Sequence, residues 1–265
     1  MKILWQNNSS EMITGEDKME TIWDGLKKLY VKVASPGTEI KLEHLSVSTN
    51  YVRSFYAEFY NNIGIIEKVI QAEEQGFDAV ILGCMSDPGI WEVREAVDIP
   101  VVGVGESAYL IAQLLGIRFA VITVDEKIIP NMEKKLNLYG FSNRAISKPI
   151  RAVNPPFTTK EYIDGFEDPY KYIIPRFEEV AHECIKDGAD VIIAGCGYIG
   201  PMLTISGYTK IKGTEVPIVD GGTAAIKLAE LLVEMKEKVG VSKSKHSYFA
   251  PPPKSVINKI RKLYK

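Results

Sequence analysis

Short apolar runs alternate with stretches of helical periodicity along the chain, as in α/β proteins whose strands run parallel. The pattern predicts strands at residues 2–6, 79–82, 101–104, 119–124, 191–194 and 218–219, with a further one at 39–47. Amphipathic stretches at 63–74, 108–115, 172–186 and 224–239 predict helices, bounded by glycine, proline or Asx residues. From Val241 the character changes to Ser, Lys and His, then three prolines at 251–253, then a basic segment. That tail, 241–265, reads as a linker with a short docking helix.

One arrangement occurs twice. Gly76-Phe-Asp-Ala-Val-Ile-Leu-Gly-Cys84 and Gly188-Ala-Asp-Val-Ile-Ile-Ala-Gly-Cys196 match in spacing and in nearly every residue class. Each is followed by a second echo, Pro100-Val-Val-Gly-Val-Gly-Glu-Ser-Ala and Pro217-Ile-Val-Asp-Gly-Gly-Thr-Ala-Ala. Two echoes in the same order predict duplicated α/β lobes. In an open parallel sheet the ligand edge lies beyond the carboxyl ends of the strands. Cys84 and Cys196 each follow a strand by one glycine, so each is expected at that edge. Lobes packed about a pseudo-twofold axis would set the two thiols across one cleft.

Composition narrows the partners. The 265 residues are 46% hydrophobic and 25% charged, with a net charge of -2, an ordinary balance for a globular protein. That charge gives no reason to expect nucleic acid. No apolar run reaches the roughly 20 residues of a membrane span, and the opening residues turn polar too early for a signal peptide. A cytoplasmic protein acting on a small molecule is expected, which suits three free cysteines, Cys84, Cys184 and Cys196. There is no C-x-x-C and the three histidines are scattered, so neither a zinc nor an iron–sulfur site is expected.

Two thiols facing one carbon are suited to racemisation. One, as thiolate, removes a proton from one face; the other, as thiol, returns a proton to the opposite face. Met85-Ser86-Asp87-Pro88 looks like a helix start, with Ser86 or Asp87 as cap and Pro88 at the first helical position. Its positive end would lower the pKa of Cys84. The amides of Gly197 and Tyr198 would serve Cys196. Asn7, Asn8, Ser9 and Ser10 after the first strand, and Gly221, Gly222 and Thr223 before the last long helix, could supply donors for the developing enolate. Asp220 could accept a hydrogen bond from a substrate N–H. Cys184, inside a helical pattern, reads as an inert core thiol.

At these residues the chain resembles the aspartate/glutamate/hydantoin racemase superfamily, in particular its hydantoin and allantoin racemase branch. The likeness is carried by Met1-Lys-Ile-Leu-Trp-Gln-Asn-Asn-Ser-Ser10, Gly83-Cys-Met-Ser-Asp-Pro-Gly89, residues 99–106, Gly195-Cys196 and residues 216–229. It implies two pseudo-symmetric lobes, two catalytic cysteines and no cofactor. It also implies substrate contacts at Asn7, Ser10, Asp87 and the Gly221–Thr223 turn, and is compatible with a homo-oligomer. Because the family's lobes exchange chain, the final strand and helix are expected to return to the first lobe. The expected division is 1–98 plus 217–240 against 99–216. Glutamate racemases place Asn-Thr and Thr-His after their cysteines, where this chain has Met85-Ser86 and Gly197-Tyr198. The expected substrate is therefore a 5-substituted hydantoin or related ureido compound, with a free amino acid as runner-up.

A rival from another class rests on Gly103-x-Gly105-x-x-Ala108, which follows a strand, opens a helix and precedes Asp125 at the next strand's end. That partly matches a dinucleotide-binding fingerprint and would make the chain an oxidoreductase. A non-catalytic small-molecule-binding protein on the same fold is the third reading.

Overall fold

The structure is a computed structural model, and it describes residues 1–10, 19–49, 51 and 53–263; the last two residues of the expected tail lie outside this range. In chain order the first half holds β1 (Lys2–Gln6), α1 (Met19–Val33), β2 (Glu39–Glu43), α2 (Phe55–Glu74), β3 (Ala79–Leu82), α3 (Ile90–Ala96), β4 (Val101–Gly103) and α4 (Val104–Leu115). The second half holds β5 (Phe119–Thr123), α5 (Ile129–Leu138), β6 (Ala145–Ala152), α6 (Thr159–Glu167), α7 (Pro169–Tyr172), α8 (Ile174–Lys186), β7 (Val191–Ala194), α9 (Ile199–Ser206), β8 (Ile218–Asp220) and α10 (Gly221–Val239). A last helix, α11 (Lys254–Leu263), closes the described chain.

Two parallel four-stranded sheets result, ordered β2-β1-β3-β4 and β6-β5-β7-β8. The expected α/β architecture is therefore present, with the same strand order in both halves. Parallel strands covered on both faces need apolar residues at consecutive positions, and β3 and β7 are buried throughout. Within β1 and β3 the two faces have separate partners. Ile3, Trp5, Ala79 and Ile81 join a core shared with the second sheet, whereas Leu4, Val80 and Leu82 pack with Ile65 and Val69 of α2 and with Val93 of α3.

The exchange between halves differs from the sequence expectation. The division at 99 and 217 assigns β4 to the second lobe and β8 to the first. Pairing puts β4 beside β3 and β8 beside β7. The helices cross instead: α4 leaves the first sheet to pack on β7 and β8, while α10 leaves the second to pack on β3 and β4. Strands stay where their ladders are completed; the apolar faces of α4 and α10 seal the joint between the halves. Among the described residues no helix is long and apolar enough to cross a membrane.

Candidate active site

In each sheet the strand order reverses direction at one place, between β1 and β3 and between β5 and β7. A crevice opens there at the carboxyl ends. Gly83 N–H donates to Gln6 O at 2.8 Å and Gly195 N–H to Ile122 O at 2.8 Å, so the two cysteines leave their sheets in equivalent register. The turns also touch. A Cβ on Gly197 would come within 3.3 Å of the Gly83 carbonyl oxygen. Cys84 and Cys196, both half-buried, border a common cavity of about 140 Å³.

The cavity divides by chemistry. Asn7, Asn8 and Ser86 offer polar groups, and Gly197 and Tyr198 continue the second cysteine turn. Met85, Val124, Ile128 and Met132 make an apolar wall. Arg53 and Tyr162 complete it. Arg53, Val124, Ile128, Met132 and Tyr162 all lie outside the two echoed segments, so nothing in the sequence marked them. Arg53 donates to Asp125 across the halves at 2.7 Å. The Tyr162 hydroxyl is buried without a full hydrogen bond among the described residues. Tyr198 stands edge-on to Trp23 and Tyr162, with ring centroids 5.9 Å away in both cases.

Several expected contacts lie elsewhere. Ser10, half-buried, does not border the cavity. Asp87 is fully buried behind it. Its carboxylate accepts from the amides of Gly105 at 2.8 Å and Glu106 at 2.7 Å and from the Tyr139 hydroxyl at 2.8 Å. It thus caps α4, not the helix that follows it in sequence. That helix, α3, begins at Ile90 with Gly89 as its cap residue in the left-handed region, because residues 86–88 turn away to deliver Asp87. Asp220 does the same for α10, accepting from Gly222 N–H at 2.9 Å, Thr223 Oγ1 at 2.7 Å and Thr204 Oγ1 at 3.1 Å. Gly221 and Gly222 are buried, against Val104 and Trp5 respectively. The Asp220–Thr223 group therefore supports the wall from behind.

The two caps are complementary. A Cβ at Gly103 would lie 2.4 Å from Asp87 Oδ1, and one at Gly200 would lie 2.4 Å from Asp220 Oδ1. Each helix start receives one carboxylate, delivered from the cysteine loop in one half and from the strand end in the other, and a glycine makes room for it. This accounts for the Gly103-x-Gly105 turn. The place where a pyrophosphate would meet the helix N-terminus is filled by the Asp87 carboxylate, and the dinucleotide reading loses its physical basis.

The thiols also depart from expectation. Burial pushes Cys84 up to about 11, against the Ser86 hydroxyl and amide that favour its thiolate, and Glu58 and Asp87 push it the same way. Burial raises Cys196 too, opposed by the amides of Tyr198 and Ile199, by Arg53 and by the Tyr162 hydroxyl. Without a helix start behind it, Cys84 lacks the lowering influence predicted from its loop. Burial lifts Asp87 to about 6 despite its three donors. Cys184 is sealed in the core of α8. Among the described residues no three His, Cys, Asp or Glu side chains converge as a metal site.

Two sheets of identical order, meeting at a cavity bordered by a cysteine from each, define a duplicated α/β protein with a paired-thiol site. Residues 33–229 match the family model described as Asp/Glu/Hydantoin racemase, and the chain belongs to that family, a family of isomerases. A hydantoin racemase from Pseudomonas sp. (strain NS671) is 30% identical over 220 residues, 83% of this chain and 84% of that protein. An allantoin racemase from Klebsiella pneumoniae superposes with a TM-score of 0.78 at 25% identity, over 95% of this chain and 93% of that one. An allantoin racemase from Pseudomonas fluorescens gives 0.76 at 29% identity, over 96% and 97%.

Proposed function

We propose that the chain racemises a 5-substituted hydantoin or related ureido compound by two-base proton transfer between Cys84 and Cys196, without a cofactor. The observation that carries this reading is the shared cavity: duplicated turns in contact at Gly83 and Gly197, each bringing one thiol to its border. The thiolate on one face takes the proton from the stereogenic carbon, leaving an enolate, and the thiol on the other returns one. Asn7, Asn8, Ser86 and Arg53 line the cavity and would supply the donors for a developing enolate oxygen. A thiol held high by burial is a stronger base once ionised, closer to a carbon acid made acidic by the ring carbonyl.

The walls favour a ring compound over the runner-up, a free amino acid. A zwitterion needs a carboxylate opposite its ammonium group, and among the described residues no Asp or Glu borders the cavity. The apolar wall of Val124, Ile128 and Met132 suits an apolar C5 substituent.

The test is incubation of the purified protein, without added cofactor, with single enantiomers of hydantoins, allantoin and amino acids in D₂O. Chiral chromatography and mass spectrometry then follow inversion and Cα deuteration. The expected result is inversion with exchange for hydantoins, lost at least about 100-fold in Cys84→Ser and in Cys196→Ser and kept in Cys184→Ser. Full activity in either of the first two variants would refute the two-base assignment. Ligand binding without any exchange would make this a binding protein.

A further inference from the structure

Arg53 and Glu58 stand five residues apart around the start of α2, where Ser54 caps the helix, and they serve different thiols. Arg53 borders the cavity and is held there by Asp125 of the other half. Its charge acts on Cys196 and on Tyr162. Glu58, half-buried, accepts from Asn131 Nδ2 at 2.8 Å and interacts with the Ser86 hydroxyl, whose Oγ is 3.4 Å from Cys84 Sγ.

The remaining neighbours divide the same way. Around Cys84 lie Ser86 and Asp87 from its own loop, Glu58 from α2, and Tyr198 from the facing turn. Lys135 of α5 binds the Asp87 carbonyl oxygen at 3.0 Å and faces Glu58, offsetting part of that negative charge. Around Cys196 lie the amides of Tyr198, 3.5 Å from the sulfur, and Ile199 at the start of α9, together with the Tyr162 hydroxyl and Arg53. Asp125 tempers Arg53 in an ion pair that is partly exposed and so partly screened. One thiol has two carboxyl groups in its surroundings; the other has a helix start and a guanidinium.

We propose that the pocket is polarised, with Cys196 the thiol that ionises first and Cys84 the one that keeps its proton, and that Arg53 and Glu58 are the positioning residues that set this order. Its catalytic consequence rests on the two-cysteine reading above. The enantiomer presenting its hydrogen to Cys196 meets the ready form: Cys196 gains that proton, Cys84 gives its own to the opposite face, and the pair ends inverted. Release of a proton from Cys196 to water and uptake of one by Cys84 restores the starting form. Since racemisation is thermoneutral, kcat/KM is equal in both directions, and the polarity shows as unequal kcat and unequal KM.

The inference is tested without substrate. The full chain is alkylated with iodoacetamide across a pH series, and peptide mass spectrometry follows each cysteine separately; the pH midpoint reports thiolate formation independently of access. Cys196 is expected to have a midpoint at least one unit below that of Cys84, about a ten-fold difference in thiolate fraction at neutral pH. Arg53→Gln should raise the Cys196 midpoint alone, Arg53→Lys should leave it near the parent value, and Glu58→Gln should lower the Cys84 midpoint alone. Coincident or reversed midpoints would overturn the proposal, as would variants that move both thiols together. Polarised thiols in a protein that exchanges no Cα proton would sink the racemase reading only. Equal thiols in an active racemase would sink this one only.

Discussion

Asp87 concentrates the residue-scale physics of the site. It is fully buried, has a positive φ of 44° and satisfies two amides and a hydroxyl at once. Its carboxyl is raised to about 6 in the folded protein, against about 4 for an ordinary aspartate. The folded state therefore binds more protons than the unfolded chain between these values, and stability falls as pH rises through that window. The loss amounts to about 3 kcal/mol if the whole shift is expressed. Asp87→Asn has no such titration, so its destabilisation relative to the parent should be smaller at pH 7 than at pH 4. Urea unfolding at both pH values measures this; a penalty that grows with pH would contradict the raised carboxyl. The same residue shows what sequence could offer. A Ser-Asp-Pro string after Cys84 announces a cap, but which helix it caps depends on where the chain turns in space.

At the scale of elements, the duplicated helix starts invite an exchange of parts. Gly103→Ala would drive a methyl group into the Asp87 carboxylate and should cost about 1–3 kcal/mol. Gly103→Asp combined with Asp87→Gly would give α4 the arrangement that Asp220 and Gly200 give α10, and would place glycine at a left-handed position. The double variant is expected to have a higher denaturation midpoint than either single variant, a coupling that only side chains sharing one space produce. Additive midpoints would show that the two caps are not interchangeable. The strands with continuous apolar runs were legible beforehand, as were the longer amphipathic helices. Strand β6, Ala-Ile-Ser-Lys-Pro-Ile-Arg-Ala, was not. An edge strand with polar residues and a proline lacks the pattern of a buried one.

Over the whole molecule, the tail returns to the first half. Ile257 packs against the core formed by α2, α3 and the outer face of the first sheet. Arg261 meets Glu67 and, at 2.7 Å, Glu74, and Lys245 meets Asp98 at 2.6 Å. Partly exposed ion pairs contribute little, so Arg261→Ala should cost about 0.5–1 kcal/mol by thermal or urea unfolding. Glu67 lies nine residues, about 13 Å, along α2 from Glu58, and turnover should be unchanged. A large loss of activity would instead connect the tail to the cavity.

The sequence by itself determined the duplicated strand–Gly–Cys units, the α/β class and the pairing of Cys84 with Cys196, because buried parallel strands and tight turns leave local periodic traces. Tertiary structure alone decided that β4 and β8 stay in their own sheets while α4 and α10 cross, that Asp87 and Asp220 cap from behind the cavity, and that Arg53, Tyr162, Ile128 and Met132 complete its wall. These residues meet through the fold and share no spacing along the chain, and burial, which raises both thiols, is a property of the packed molecule.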